Sequence, residues 1–448
     1  LPSHEQEAMK AGTGPGARGR KAAPAVRPRA VREAVARCRA LIRERGEAGS
    51  AAAARAALAA YQALDEAQRR RFFDAIARDF SPDPDAVLQA AQAYREDPSP
   101  LALARLQDVV EPARQELFRR LNMAPGGTAA LVDMRLQVLL GLEAHPQWRV
   151  IDNDLRHLLR SWFNRGFLTL ARIDWRTSAI VLEKLIAYEA VHQIQGWDDL
   201  RRRLQADRRC FAFFHPQLPD EPLIFIEVAL TRGMSAKVQP LLDVHSPVAA
   251  PELANCAVFY SITNCQEGLR GISFGNFLIK QVAVELRNEF PRIRRFATLS
   301  PMPGFRAWLA AQRERLVNGA NGAALKALFE RLDAPDWPAR DGAASDEALL
   351  VPLAAYYLVR AKRGAEPVDA VARFHLGNGA VLERLNCLGD TSLHGLARSY
   401  GMMCNYVYRL GEVERNHEIF VNEHRVLASA AVERAADTAA AWFESATA

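Results

Sequence analysis

Ser300 lies in Leu299-Ser300-Pro301-Met302-Pro303-Gly304, directly after an apolar run that reads as a strand. Two prolines and a glycine stiffen the chain behind it and can expose its hydroxyl at the strand end. A serine fixed in this way can hold a carboxylate or pair with a base. Its plain structural alternative is an N-cap or turn ahead of a helix expected from Phe305 to Arg315. His375 stands just before Gly377-Asn378-Gly379, a segment suited to a tight turn in left-handed conformations. An imidazole titrates near neutrality with little tuning, so His375 is an acid/base candidate, with a core or capping histidine as the alternative. Glu227 interrupts the apolar strand LIFIEVAL, residues 223–230. A carboxylate there costs on the order of several kcal/mol unless it is paired or neutralised. It is therefore a general base, a substrate hook, an internal salt bridge, or a residue on the solvated side of a half-exposed strand.

A second chemical signal runs from Ala257 to Phe290. Val258, Phe259, Tyr260 and Ile262 suit a buried strand, and Leu278, Val282, Leu286 and Phe290 recur on one helical face. Between them lie Arg270, Gly271, Ile272, Ser273, Phe274, Gly275 and Asn276. Strand, glycine loop and helix start together collect backbone N–H groups around a phosphate. The loop has no Walker Gly-Lys-Ser/Thr and no clean dinucleotide fingerprint, so by itself a tight turn explains it equally well.

The elements that would position these groups fall into two regions. From Ala30 to about His145 the apolar spacing is helical. Examples are the face of Val31, Val35, Cys38 and Ile42, the Phe72, Ile76 and Phe80 series, and the stripe of Leu131, Met134, Val138 and Leu142. Asp83-Pro84 offers a cap and a first-turn proline, and Pro112 breaks or kinks a segment. After a transition, strands are expected at 210–214, 223–230, 257–262 and 297–299, with a last one in 400–410. The order strand, strand, strand, glycine loop, helix fits an α+β sheet domain better than alternating βαβ units. The expected division is a disordered basic tail over 1–29, a helical packing or oligomerisation domain over 30–160, and a sheet domain over 161–448.

Composition narrows the partners. The chain has 448 residues, 49% of them hydrophobic, and a formal charge of +6. Residues 1–30 carry six basic and two acidic side chains, hence +4 of that charge. The remainder is nearly balanced, which argues against a nucleic-acid footprint. Six scattered cysteines without CxxC read as reduced thiols, and the ten histidines show no zinc spacing, so no metal is expected. No apolar run is long enough for a bilayer, and no secretory leader is visible, so a cytoplasmic protein is expected.

Three blocks carry a resemblance: FYSITNCQEGLRGISFGNFLIKQV (259–282), TLSPMPGFRAWL (298–309) and FHLGNGAVLERLNCLGDTSLHGLARSYGMMCNYVY (374–408). Their order and spacing resemble the malonyl-CoA decarboxylase family. The resemblance implies an all-helical N-terminal domain followed by a GNAT-like catalytic domain with a mixed sheet. It implies conversion of malonyl-CoA to acetyl-CoA and carbon dioxide with no metal or organic cofactor, and a homodimer or homotetramer. It assigns residues 270–276 to coenzyme A binding, and Ser300, His375 and Tyr408 to catalysis. One position departs from it: the family carries a glutamate where this chain has Ser273, and Glu227 or Glu267 are the candidate substitutes. Arg292, Arg294 and Arg295 are nominees for the 3′-phosphate. A coenzyme A-dependent N-acyltransferase, or a non-enzymatic coenzyme A-binding assembly protein, are the competing readings.

Overall fold

Short loops with strong caps divide the first third of the chain into helices. In the computed structural model the described residues are 28–272, 274, 278–334, 337 and 346–445; the expected tail through residue 27 lies outside them. Two compact units are distinguished, residues 1–127 with 142–151, and residues 128–141 with 152–448. Residues 128–141 and 152–160, read from sequence with the helical domain, thus belong to the second unit.

The first unit contains α1 (Pro28–Arg43), α2 (Glu47–Gln62), α3 (Glu66–Asp79), α4 (Pro84–Glu96), α5 (Pro100–Val110) and α6 (Ala113–Asn122). Asp65 and Gln68 form a reciprocal capping box at the start of α3. Asp83 caps α4 with Pro84 in its first turn, and Pro112 separates α5 from α6. The core of the unit is aromatic: Phe73 meets the Trp148 ring edge-on at 5.2 Å, and the indole Nε1–H donates to Asp74 at 2.8 Å. No helix among the described residues is long and apolar enough to cross a membrane.

The second unit begins with α7 (Gly127–Gly141), α8 (Arg149–Trp162), β1 (Thr169–Ile173), α9 (Ala179–Tyr188) and α10 (Trp197–Arg203), taken here for their residues within it. It continues through β2 (Arg208–Phe214), β3 (Ile224–Thr231), α11 (Gln239–Leu242), β4 (Cys256–Asn264), α12 (Leu278–Glu289), β5 (Arg295–Thr298) and β6 (Ser300–Pro301). After α13 (Phe305–Val317), α14 (Gly322–Leu332) and α15 (Glu347–Val359) come a small hairpin, β7 (Lys362–Arg363) with β8 (Glu366–Pro367), and α16 (Ala370–Gly377). The chain closes with β9 (Val381–Asn386), α17 (Leu393–Ser399), β10 (Met403–Tyr408), α18 (Val413–Glu423) and α19 (Ala430–Glu444).

The main sheet runs β1-β2-β3-β4-β5-β10-β6, with β9 also on β10. β4 and β5 pair in parallel, whereas β1 to β4 are antiparallel in sequence. A mixed sheet that follows a helical region in the chain is what the resemblance implies. β1 was missed in sequence because TLARI is an edge strand with one buried residue, so it shows no continuous apolar run. The segment before Gly377-Asn378-Gly379 is a helix rather than an approach to a turn. Asp369 caps it by accepting the Ala372 N–H at 2.8 Å, and Gly379 follows it at φ 79°.

Parallel pairing of β4 with β5 covers Cys256–Phe259 against Arg295–Thr298 and then stops. Beyond it β4 continues to Asn264 while the other chain turns into β6 against β10. A register shift between Glu227 and Val228 of β3 places a bulge at Tyr260, where the two strands part. The sheet therefore opens into a notch whose one wall is the free edge of β4.

Glu227 is completely buried, and its partner is internal. The Arg203 guanidinium bonds Glu227 Oε2 at 2.7 Å, Asp199 Oδ1 at 2.9 Å and the His192 carbonyl at 2.9 Å. Burial pushes the Glu227 carboxyl up while Arg203 pulls it down. The salt-bridge reading is the one observed; Glu227 does not face solvent. Replacing Arg203 with Ala leaves two carboxylates without their cation and is expected to cost about 3–5 kcal/mol. Urea denaturation of the full chain measures this; a loss below about 1 kcal/mol would show that the cluster contributes little.

Candidate functional site

Side chains two apart on a strand share a face, and this rule begins the site. Thr298 ends β5, Ser300 begins β6, and the Ser300 hydroxyl donates to Thr298 Oγ1 at 2.8 Å. The Tyr406 backbone N–H of β10 donates to the same Oγ1 at 3.1 Å, and Asn405 Nδ2 donates to the Thr298 carbonyl at 2.6 Å. The serine is thus held by the β5–β10 seam as well as by the prolines after it.

His375 comes from the last turn of α16. Its Nε2 lies 2.9 Å from Ser300 Oγ and its Nδ1 lies 2.9 Å from the Tyr408 hydroxyl. One proton arrangement satisfies every contact. Because Ser300 donates to Thr298, Nε2–H donates to Ser300, and Nδ1 accepts from Tyr408. The Tyr406 ring stacks on the imidazole at 4.6 Å. Desolvation pulls the His375 pKa down to about 3, and no acidic side chain offsets it. At neutral pH the ring is uncharged. Burial likewise holds the Tyr408 hydroxyl well above its ordinary range.

The chain of hydroxyls and imidazole opens on a cavity of about 250 Å³ lined by Ser300, His375, Phe374, Val371 and the β4 edge from Phe259 to Ile262 and at Asn264. Asn264 also lines a larger cavity of about 590 Å³, whose wall carries Asp133, Glu189, Glu221 and Glu267. Glu189 is gripped by the hydroxyls of Ser261 at 2.8 Å and Thr263 at 3.1 Å.

The glycine loop leaves the same strand, β4, and leads to the start of α12. Gly271 has φ 75°, a conformation that favours glycine, and its surroundings are open. Ile272 and Phe274 are buried anchors, and Arg270 is exposed. Ser273, Gly275 and Asn276 lie outside the described residues, so the departure at Ser273 does too. The loop is held from α7 by a buried arginine that the sequence reading passed over. Arg135 bonds the carbonyls of Gly268 at 2.7 Å and Arg270 at 2.9 Å, and its Nε bonds Asp152 of α8 at 2.8 Å. Its signal was available: a cation inside the Leu131, Met134 and Val138 stripe needs buried partners. Thr298 was also readable, two residues before Ser300.

The structure brings Ser300, His375 and Tyr408 together. Glu227 is engaged elsewhere, and Glu267 lines the larger cavity. Arg292, Arg294 and Arg295, the nominees for the 3′-phosphate, follow the far end of the 12-residue α12, about 18 Å from its start.

Residues 166–445 match the family described as Malonyl-CoA decarboxylase C-terminal domain, and residues 80–163 match its N-terminal domain. The chain is 34% identical over 403 residues to the mitochondrial malonyl-CoA decarboxylase of Anser anser anser, covering 82% of this chain and 80% of that one. The corresponding protein of Rattus norvegicus is 33% identical over 398 residues, covering 82% and 81%. The crystal structure of malonyl-CoA decarboxylase from Rhodopseudomonas palustris superposes with a TM-score of 0.86 at 50% identity, covering 90% of this chain and 99% of that one. That from Agrobacterium vitis gives 0.83 at 47% identity, with coverage of 90% and 99%.

The buried neutral imidazole has a consequence for stability. His375 binds its proton at about pH 3 when folded but near 6.5 when unfolded, so the unfolded state takes up the proton first as pH falls. Stability present above pH 6.5 is lost toward pH 3, at up to about 1.4 kcal/mol per unit. The wild type should therefore lose about 2 kcal/mol more than His375→Gln between pH 7 and pH 5. Urea midpoints of the pair at both pH values check this, and equal losses would contradict a neutral resting ring.

Proposed function

The chain belongs to the malonyl-CoA decarboxylase family, and from that premise we propose how its second unit turns malonyl-CoA into acetyl-CoA and carbon dioxide. Decarboxylation of malonyl-CoA is the family's reaction; the roles of individual residues are our reading. The observation that carries it is the Thr298–Ser300–His375–Tyr408 hydrogen-bonded chain on a cavity at the parting of β4 and β5.

The pantetheine arm lies in the notch, where its amides can pair with the free edge of β4 as an added strand would. The diphosphate sits on the loop at Arg270–Asn276, before α12. This puts the thioester and malonyl carboxylate beside Ser300 and His375. When the bond to the carboxylate breaks, its electron pair passes into the thioester as an enolate, and carbon dioxide leaves. Donors fixed at the enolate oxygen stabilise that charge, each by roughly 3–4 kcal/mol in comparable sites. The Ser300 hydroxyl, turned from Thr298 Oγ1 toward the substrate while Nε2–H still supports its oxygen, and the backbone N–H at the Tyr260 bulge are the donors within this cavity wall.

The α-carbon then needs a proton. A neutral imidazole surrenders its N–H far less readily than an imidazolium, so direct donation from resting His375 is disfavoured. A water held on the Ser300–His375 pair supplies the proton instead, and the hydroxide left behind takes a proton from solvent, so that carbon dioxide leaves as such. Tyr408 keeps the ring in the tautomer that points Nε2–H at Ser300.

Purified protein with malonyl-CoA alone should yield acetyl-CoA and carbon dioxide, whereas an acyltransferase would need an acceptor. Ser300→Ala and His375→Ala should still bind coenzyme A but turn over on the order of 10²-fold more slowly. Unchanged turnover in both would remove them from the site. Gly271→Val should weaken coenzyme A binding, because a branched side chain suits neither its φ nor close approach. Single-turnover rates should show no loss near pH 6.5 as pH rises from 6 to 9. A decline there that vanishes in His375→Gln would instead mark an imidazolium donor.

A further inference from the structure

Helix α8 carries a row of cations on the face away from its buried stripe. Arg156 and Arg160 are exposed one turn apart, and with Asn153, His157 and Ser161 they line an open cleft of about 400 Å³. One turn before Arg156 is Asp152, which holds Arg135, and Arg135 in turn holds the carbonyls of Gly268 and Arg270. This clamp ties the cationic face of α8 to the first residue of the glycine loop. Arg156 and Arg270 are near enough to Arg135 for both charges to push its pKa down.

Asp152 answers Arg135. The others lack such an answer. Arg156 bonds only the neutral Asn153 Oδ1 at 2.8 Å, and neither Arg160 nor Arg270 has a carboxylate partner among the described residues. Like charges gathered without counter-charge repel one another, and an anion arriving among them is bound more tightly for it.

We propose that Arg156 and Arg160 of α8, with Arg270, form the binding site for the ribose 3′-phosphate at the nucleotide end of coenzyme A. This rests on the reading that the loop beginning at Arg270 takes the diphosphate. In coenzyme A the two phosphate groups are separated by one ribose, and Arg135, bonded both to Asp152 of α8 and to the Arg270 carbonyl, ties α8 to the first residue of the loop. Guanidinium forks suit a phosphate dianion, and an open cleft suits a nucleotide end that stays in contact with water. The larger cavity, ringed by Asp133, Glu189, Glu221 and Glu267, has the wrong sign for it.

The test is calorimetric binding of coenzyme A and of 3′-dephospho-coenzyme A to the full chain and to Arg156→Ala/Arg160→Ala. The wild type should prefer coenzyme A by about tenfold or more, the worth of one or two charge-assisted bonds. In the double variant, affinity for coenzyme A should fall to that of the dephospho form, while dephospho affinity changes less than twofold. A wild type without preference, or a variant that loses both ligands equally, overturns the site. A wild type that prefers coenzyme A yet releases no carbon dioxide from malonyl-CoA would sink the decarboxylation reading and leave this site standing.

Discussion

An imidazole enclosed by protein with no carboxylate beside it must stay neutral, and much of the second unit follows from that. His375 has hydroxyl groups on both ring nitrogens, so its tautomer is set by which neighbour donates. Thr298 fixes Ser300, the β5–β10 seam fixes Thr298, and the direction of every proton in the chain follows. A carboxylate on Nδ1 would have favoured the imidazolium and a different chemistry. In the mechanism we propose, these neutral hydroxyls and the neutral ring face the place where negative charge would develop, and the thioester would supply the electron sink.

The sheet makes that environment possible. Parallel strands that continued together would leave no room for a substrate. Because pairing of β4 and β5 ends at Phe259 and Thr298, Ser300 falls on one side of the gap and the β4 edge on the other. The glycine loop then continues from that same edge strand. In the proposed reading one strand, β4, would both hold the arm and lead into the phosphate site, while α16 brings in the imidazole.

Some of this was legible in the residues, and the reasons differ. Ser300 and His375 stood out by their local setting, each with a plain alternative, whereas Tyr408 came only through long blocks whose order and spacing resemble a family, which also gave all three their catalytic roles. The strands at 208–214, 224–231 and 256–264 announced themselves because both faces are buried and their apolar runs are nearly continuous. The edge strand β1 and the helix α16 did not: one has a single buried residue, the other ends in a glycine pair that reads as a turn. Arg135 carried a signal, a cation inside an apolar stripe, but its loop partners Gly268 and Arg270 lie 133 and 135 residues on. Arg203 has Asp199 four residues away, while its pairing with Glu227 across 24 residues is not printed by a single sequence. Arg292, Arg294 and Arg295 show a different difficulty, since adjacency in sequence to α12 says nothing about which of its ends is near the loop.

The most direct measurement is a crystal structure of His375→Ala with malonyl-CoA bound. The account predicts the pantetheine arm along residues 260–264 of β4 and the malonyl carboxylate or thioester oxygen within hydrogen-bonding distance of Ser300 Oγ. An acyl group lodged instead in the acidic cavity beside Glu189 and Glu221, away from Ser300, would contradict it.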